Sequence, residues 1–189
     1  MNKKTFKMTK NLLTAIAVSF FMFLAISSSE DKTDAKDGGT ENVAENAKKE
    51  NWKYSEEENK MEGTKEFYAT NTSTNKIEFE FPYDGGSTFD LLVRNLGKEN
   101  EVVLTVSKGQ FMTSIGGSEN LKVKFDDEKP MNFSYNSADD ASMDVVFLNN
   151  SAKFLKKLKT AKKVMIECTF FNAGSKVIEF DVEGLKWTK

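Results

Sequence analysis

The sequence predicts a mainly β fold, an antiparallel β-sandwich of about nine strands with one amphipathic helix before the last two strands. Three observations carry that expectation. Residues 76–111 contain three runs in which apolar and polar residues alternate, separated by turn-forming residues. That is the period-two signature of half-buried strands. Residues 164–182 repeat the alternation on both sides of Asn172-Ala173-Gly174, which reads as a hairpin. One stretch, 151–163, instead keeps its apolar residues at helical spacing.

In chain order, residues 1–10 carry Lys3, Lys4, Lys7 and Lys10, and residues 11–29 are uncharged and mostly apolar. A positive region followed by an apolar one is a secretory signal, so residues 1–29 are read as a signal peptide with small residues at Ala25-Ile26-Ser27 for cleavage. An uncleaved membrane anchor is the alternative, because the uncharged run approaches the length of a bilayer span. Ile26-Ser27-Ser28-Ser29-Glu30-Asp31 has the form of a bacterial lipobox, with Ser29 where the lipid-accepting cysteine would stand. A hydroxyl cannot form the thioether, so the chain as written is not lipidated by that route. Lipoprotein ancestry with a Cys-to-Ser change is one account of this stretch; a serine-rich cleavage region is the other. Residues 30–50 are charged and small, with Val43 the only large apolar residue. They cannot bury enough surface to offset their ordering entropy and are read as a flexible charged tether. The β-sandwich domain is expected over 51–189.

Within the domain, Trp52 and Trp187 are expected to cap the core from either end of the sequence. Residues 52–63 read as a polar stretch ending in a turn, and 66–71 as a short strand with a hairpin loop over 71–75. Ile77, Phe79 and Phe81 alternate with Glu78 and Glu80, a strand stopped by Pro82 and by the Asp84-Gly85-Gly86 turn. Leu91 and Val93, then Val102, Leu104 and Val106, form two strands about the turn Asn95-Leu96-Gly97-Lys98. Residues 110–114 continue the sheet past a bulge at Gly109, and Gly116-Gly117-Ser118 turns the chain. Leu121, Val123 and Phe125 make the next strand, broken by Asp126-Asp127-Glu128 and Pro130; Met131, Phe133 and Tyr135 make another. Residues 145–148 are apolar on both faces, as in a central strand. The helix runs from Ser151 to near Lys163, with Phe154, Leu155, Leu158 and Ala161 on one face and Asn150 or Ser151 as its cap. Lysines toward its C-terminal end suit the helix dipole. In the closing hairpin Val164, Ile166, Cys168 and Phe170 face Ile178, Phe180 and Val182.

Composition excludes several functions. The chain has no histidine, which removes histidine-based triads and the commonest ligand for zinc, copper and iron. Its formal net charge is −2 and Arg94 is its sole arginine. There is no strong field for nucleic acid, and bidentate readout of phosphate or bases is disfavoured. Cys168 is the only cysteine, so no internal disulfide forms; with no histidine to make its thiolate, it is read as a buried core residue. The carboxylates Asp126, Asp127 and Glu128, and Asp139, Asp140 and Asp144, offer the oxygen ligands calcium favours, but their spacing matches no EF-hand. They read first as solvated strand-ending turns. Gly85-Gly86-Ser87 and Gly116-Gly117-Ser118 lack the lysine and the strand-turn-helix context of a phosphate loop and read as turns. The Lys156–Lys163 face reads as the solvated side of a packed helix, with anionic lipid or an acidic partner as the functional alternative. Arg94 is expected in a cross-strand ion pair.

The segments FEFPYDGGS, LLVR, VVLTVSKGQF, VKFDD, FLKKLKTAKKVMIECTFFNAG and IEFDVEGLKW give most of 51–189 a likeness. The chain resembles a family of poorly characterised bacterial exported proteins and lipoproteins. In its order of elements it is weakly similar to type VI secretion accessory proteins of the periplasm. The resemblance implies an envelope protein and transfers no active site.

The expected function is therefore non-enzymatic: an exported, periplasmic or cell-envelope protein that binds another envelope protein or a surface component through a sheet edge or loop tips. No catalytic, cofactor or metal residue is assigned, and contact with a membrane is expected only through an uncleaved N-terminal segment. The alternatives are a histidine-free polysaccharide hydrolase using paired carboxylates and a calcium-dependent adhesion module.

Overall fold

The computed structural model describes residues 50–113 and 119–189. The expected signal, the lipobox-like stretch, the tether up to Lys49 and the Gly116-Gly117-Ser118 turn lie outside the described residues. The elements run β1 (Lys53–Asn59), β2 (Thr64–Thr72), β3 (Phe89–Asn95), β4 (Asn100–Val106), β5 (Glu119–Phe125), β6 (Met131–Ser137), β7 (Val145–Leu148), α1 (Ser151–Leu158), β8 (Lys163–Phe170) and β9 (Gly174–Asp181). The nine strands form one sheet in the order β1-β2-β3-β4-β7-β6-β5-β8-β9, and every ladder is antiparallel. The chain leaves β4, passes over two positions to β5, and folds back through β6 so that β7 pairs with β4. α1 then carries it across to β8, beside β5.

The fold is mainly β, as expected; its nine strands belong to one continuous antiparallel sheet, which is compatible with the expected β-sandwich. The inward side chains of its strands form a single buried cluster. The ring of Phe89 on β3 lies 5.6 Å from that of Phe170 on β8, although β4, β7, β6 and β5 separate those strands in the sheet. The two edges approach without zipping into a continuous ladder. Beyond the last residue that pairs with β1, the Asn71 amide donates to Asp181 O at 2.7 Å and to Asn51 O at 2.9 Å. Thr74 N donates to Glu179 O at 2.8 Å, and Asn75 gives and receives a bond with β9. Trp52 Nε1 donates to Val182 O at 2.9 Å.

α1 closes one end of the core. Phe154 stacks edge-on against Phe125 and Phe133 at 5.1 and 5.2 Å, with Leu155 and Leu158 also buried. Neither Asn150 nor Ser151 caps the helix by a side-chain bond, contrary to expectation. Asn150 is left-handed at φ 58, and the Ser151 hydroxyl accepts from Val102 N and donates to Leu148 O. That hydroxyl pins the helix to the sheet instead. The helix also stops at Leu158, short of the expected end near Lys163. Asp126 Oδ1 accepts the N–H groups of Lys162 and Lys163 at 2.9 and 2.8 Å and draws them into the start of β8.

Three further expectations are corrected. Residues 52–63 hold a full strand, β1, which the alternation could not reveal because none of its side chains is buried. Residues 76–81 are not a strand. Ile77 pairs only with Ser87, since β2 and β3 already pair with each other; the stretch is an excursion between them. Residues 71 and 72 belong to β2, and 73–75 lie against β9 rather than forming a hairpin loop. The closing hairpin, the central place of β7 and the burial of Trp52, Trp187 and Cys168 all hold.

On the outer face Arg94 pairs with Glu101 across β3 and β4 at 2.6 Å and lies over the Phe147 ring at 5.1 Å. Beside it, partial burial and a hydrogen bond to Glu66 at 2.6 Å push the Tyr68 phenol up to about 12. An unfolded tyrosine ionises near 10. Between those values unfolding therefore releases a proton, so alkali weakens the folded state. We expect stability to be level up to about pH 10 and to fall from there toward pH 12, with tyrosinate absorbance and unfolding monitored together. We also expect Asn71→Ala to cost about 2 kcal/mol in denaturant unfolding, because it leaves two partly buried carbonyls without their donor.

Candidate interaction surfaces

Because all neighbouring strands are antiparallel, the connections fall alternately at two ends of the sheet. One end gathers residues 73–88, the described part of 107–118, and residues 138–144 and 171–173. The other holds the turns at 60–63, 96–99 and 126–130, α1 and the C-terminal tail.

The loop end is stitched together by main-chain bonds. Phe111 N donates to Met143 O, Val106 N to Asp144 O, Phe171 N to Gln110 O and Met112 N to Thr169 O, all at 2.8–2.9 Å. The excursion 76–87 is fixed at its base by reciprocal Ile77 and Ser87 bonds. It is fixed at its middle by Phe79, which packs on Phe170 at 5.0 Å and Tyr83 at 6.4 Å. Gly109 makes room for that ring. At φ 118 its backbone is unfavourable for any side chain, and a Cβ there would come within 2.8 Å of Phe79 Cε2. On this held base two phenylalanines face solvent: Phe81 is 87% exposed and Phe171 50%. The connections at the same end also carry the exposed carboxylates Glu78, Glu80, Asp84, Asp139 and Asp140. The backbone N–H of Ser142 holds the Asp140 carboxyl below the usual range.

The alternation of 77, 79 and 81 places Phe81 inside, and the structure corrects it. A signal was present: Phe81 precedes Pro82, and proline ends a ladder. The peptide bond between them is cis.

A shallow cleft of about 200 Å³ lies at the start of β1, lined by Glu50, Asn51, Trp52, Tyr54, Glu183, Gly184 and Lys186. Tyr54 accepts a bond from Lys186 N through its hydroxyl at 2.8 Å. A third surface is the lysine face of α1, where Lys157 pairs with Glu128 at 2.6 Å and Lys153 lies over the Phe133 ring at 5.5 Å.

The residues singled out from sequence are scattered among these surfaces. Asp126 is a structural acceptor and Glu128 a partner of Lys157, so the first acidic run serves the turn and the helix. Asp139, Asp140 and Asp144 lie at the opposite, loop end. Among the described residues no group of three or more acidic or cysteine side chains is placed to hold a metal ion. Gly85 and Gly86, both at positive φ, turn the excursion. Cys168 is buried within the core cluster, and burial pushes its thiol well above the ordinary range.

No family model, curated protein or solved structure matches the chain.

Two tests follow from this packing. Cys168 is expected to stay unmodified by a thiol reagent at mild alkaline pH and to react fully once the chain is unfolded. Gly109→Ala is expected to cost about 1–3 kcal/mol and to speed amide exchange in 76–87 more than in β3 or β4.

Proposed function

We propose that residues 51–189 form a non-enzymatic, envelope-associated binding domain that takes a protein partner at its loop end. The observation that carries this reading is the pair of exposed phenylalanines, Phe81 and Phe171, on loops tied down by main-chain bonds and by the buried Phe79. A single exposed apolar side chain is ordinary; here two aromatic rings stand on the same braced loop end. As anchors they are effective, because a rigid aromatic ring loses little conformational freedom on binding. The carboxylates of the same end define the complement: an apolar pocket with a basic rim, reached faster and in one orientation by charge steering.

The apolar run at 11–29 and its positive flank support export. The resemblance to exported bacterial proteins, type VI secretion accessory proteins included, supports the envelope as the place to find the partner. A second reading, a saccharide hydrolase, draws on the cleft in which Glu50 and Glu183 sit beside Tyr54; a sugar ring stacks on such an aromatic face.

The loop-end reading is tested by affinity capture from envelope extracts with the wild type and with Phe81→Ala/Phe171→Ala. The wild type is expected to retain a reproducible partner and the double variant to lose it at least tenfold. The thermal midpoint should not move, because neither ring is part of the core. A wild type that captures nothing reproducible, or a variant that captures equally well, overturns it.

A further inference from the structure

We propose that the helical end of the domain lies against an anionic phospholipid surface, so that the loop end faces away from the bilayer. This orientation rests on the reading of the loop end as the partner site and of residues 1–29 as an export or anchoring segment.

Two independent observations carry it. The first is charge without local use. α1 buries Phe154, Leu155 and Leu158 and turns Lys153, Lys156 and Lys159 to solvent, followed by Lys162 and Lys163. The helix contains no acidic residue. Among the described residues, Lys156, Lys159, Lys162 and Lys163 take part in none of the ion pairs, which engage only Lys157 on this face. Two acidic side chains of the 126–130 turn are committed: Asp126 accepts the backbone N–H groups of Lys162 and Lys163, and Glu128 holds Lys157. Ammonium groups are compact point charges on flexible stems, which suits a dispersed layer of headgroup phosphates better than a shaped pocket.

The second observation is the opposite charge of the other end. The exposed carboxylates Glu78, Glu80, Asp84, Asp139 and Asp140 lie there, on the connections at 73–88 and 138–144. An anionic bilayer attracts one end and repels the other, over a range of about one Debye length.

The test uses the full chain in phosphatidylcholine vesicles with and without phosphatidylglycerol, and lipids carrying a headgroup quencher. A fluorophore is placed on Thr160→Cys in one protein and on Asp140→Cys in another; Cys168, being buried, stays unlabelled. With phosphatidylglycerol the label at 160 is expected to be quenched several-fold more than the label at 140. The excess should vanish at high salt and in the Lys156→Gln/Lys159→Gln/Lys162→Gln/Lys163→Gln variant. Equal quenching at the two positions, or quenching at 160 indifferent to phosphatidylglycerol or to the four glutamines, overturns the proposal. Loss of an acidic protein from envelope extracts by that variant, with quenching unchanged, also overturns it and assigns the lysines to protein docking. The loop-end reading is judged separately, since the four glutamines leave capture through Phe81 and Phe171 intact.

Discussion

The structure depends on the meeting of its two sheet edges around Asn71. A nine-stranded sheet has two rows of unpaired backbone groups, and each is a liability. Here the chain spends one asparagine to satisfy carbonyls from both sides of the gap, Asn51 O and Asp181 O. The next residues lean on β9 through Thr74 and Asn75. Trp52 seals the same seam from inside with its indole N–H on Val182 O. Because the seam holds, the inward faces of β3 and β8 meet and one core suffices. The consequence falls on β1, which pairs with β2 alone and keeps its other edge free. Its consecutive glutamates, Glu56, Glu57 and Glu58, oppose pairing of that edge with another copy of itself.

The same core reaches into the loop end. Phe79, Phe111 and Phe170 pack together there, with Phe170 5.1 Å from Phe111 and 5.0 Å from Phe79. Burying Phe79 from a loop rather than from a strand is what fixes the excursion, and it determines where Phe81 goes. With Pro82 next to it and a turn closed by Tyr83 N on Glu80 O, the chain reverses before Phe81 can follow Phe79 inward. Exposure of Phe81 is therefore a product of the packing below it.

How much of this was legible follows from what each segment buries. β3, β5, β8 and β9 each bury one face, so their alternation was readable, and the αL residues Asn172 and Gly174 marked the last turn. β1 buries nothing and had no pattern to read. Residues 76–81 carried a perfect alternation without being a strand, because the pattern reports which side chains go inward and not whether a neighbour is present to pair. The helix end was overestimated for a related reason: Ala161 is buried as expected, but Asp126, a residue 36 positions from Lys162 in sequence, takes its N–H. The candidate surface was legible only as "loop tips"; which residues stand out required knowing that Phe79 and Phe81 part company. The seam was not legible at all, since Asn71 is distinguished by contacts with residues 20 and 110 positions away.

The distribution of charge follows from the topology as well. An all-antiparallel sheet sends its connections to two ends, and the sequence fills them unequally. At one end the long excursions carry acidic residues along with Phe81 and Phe171; at the other the helix carries lysines. A net charge of −2 therefore conceals a molecule with two unlike poles. Such a polarity contributes nothing to the apolar core cluster, and the exposed members of each pole are mostly outside ion pairs that would stabilise the fold. Charges that do not serve folding are free to set orientation, and a rigid scaffold between them transmits that orientation from one end to the other. A domain built this way holds its exposed rings and its lysines to one frame, through the seam at Asn71 and the packing of Phe79.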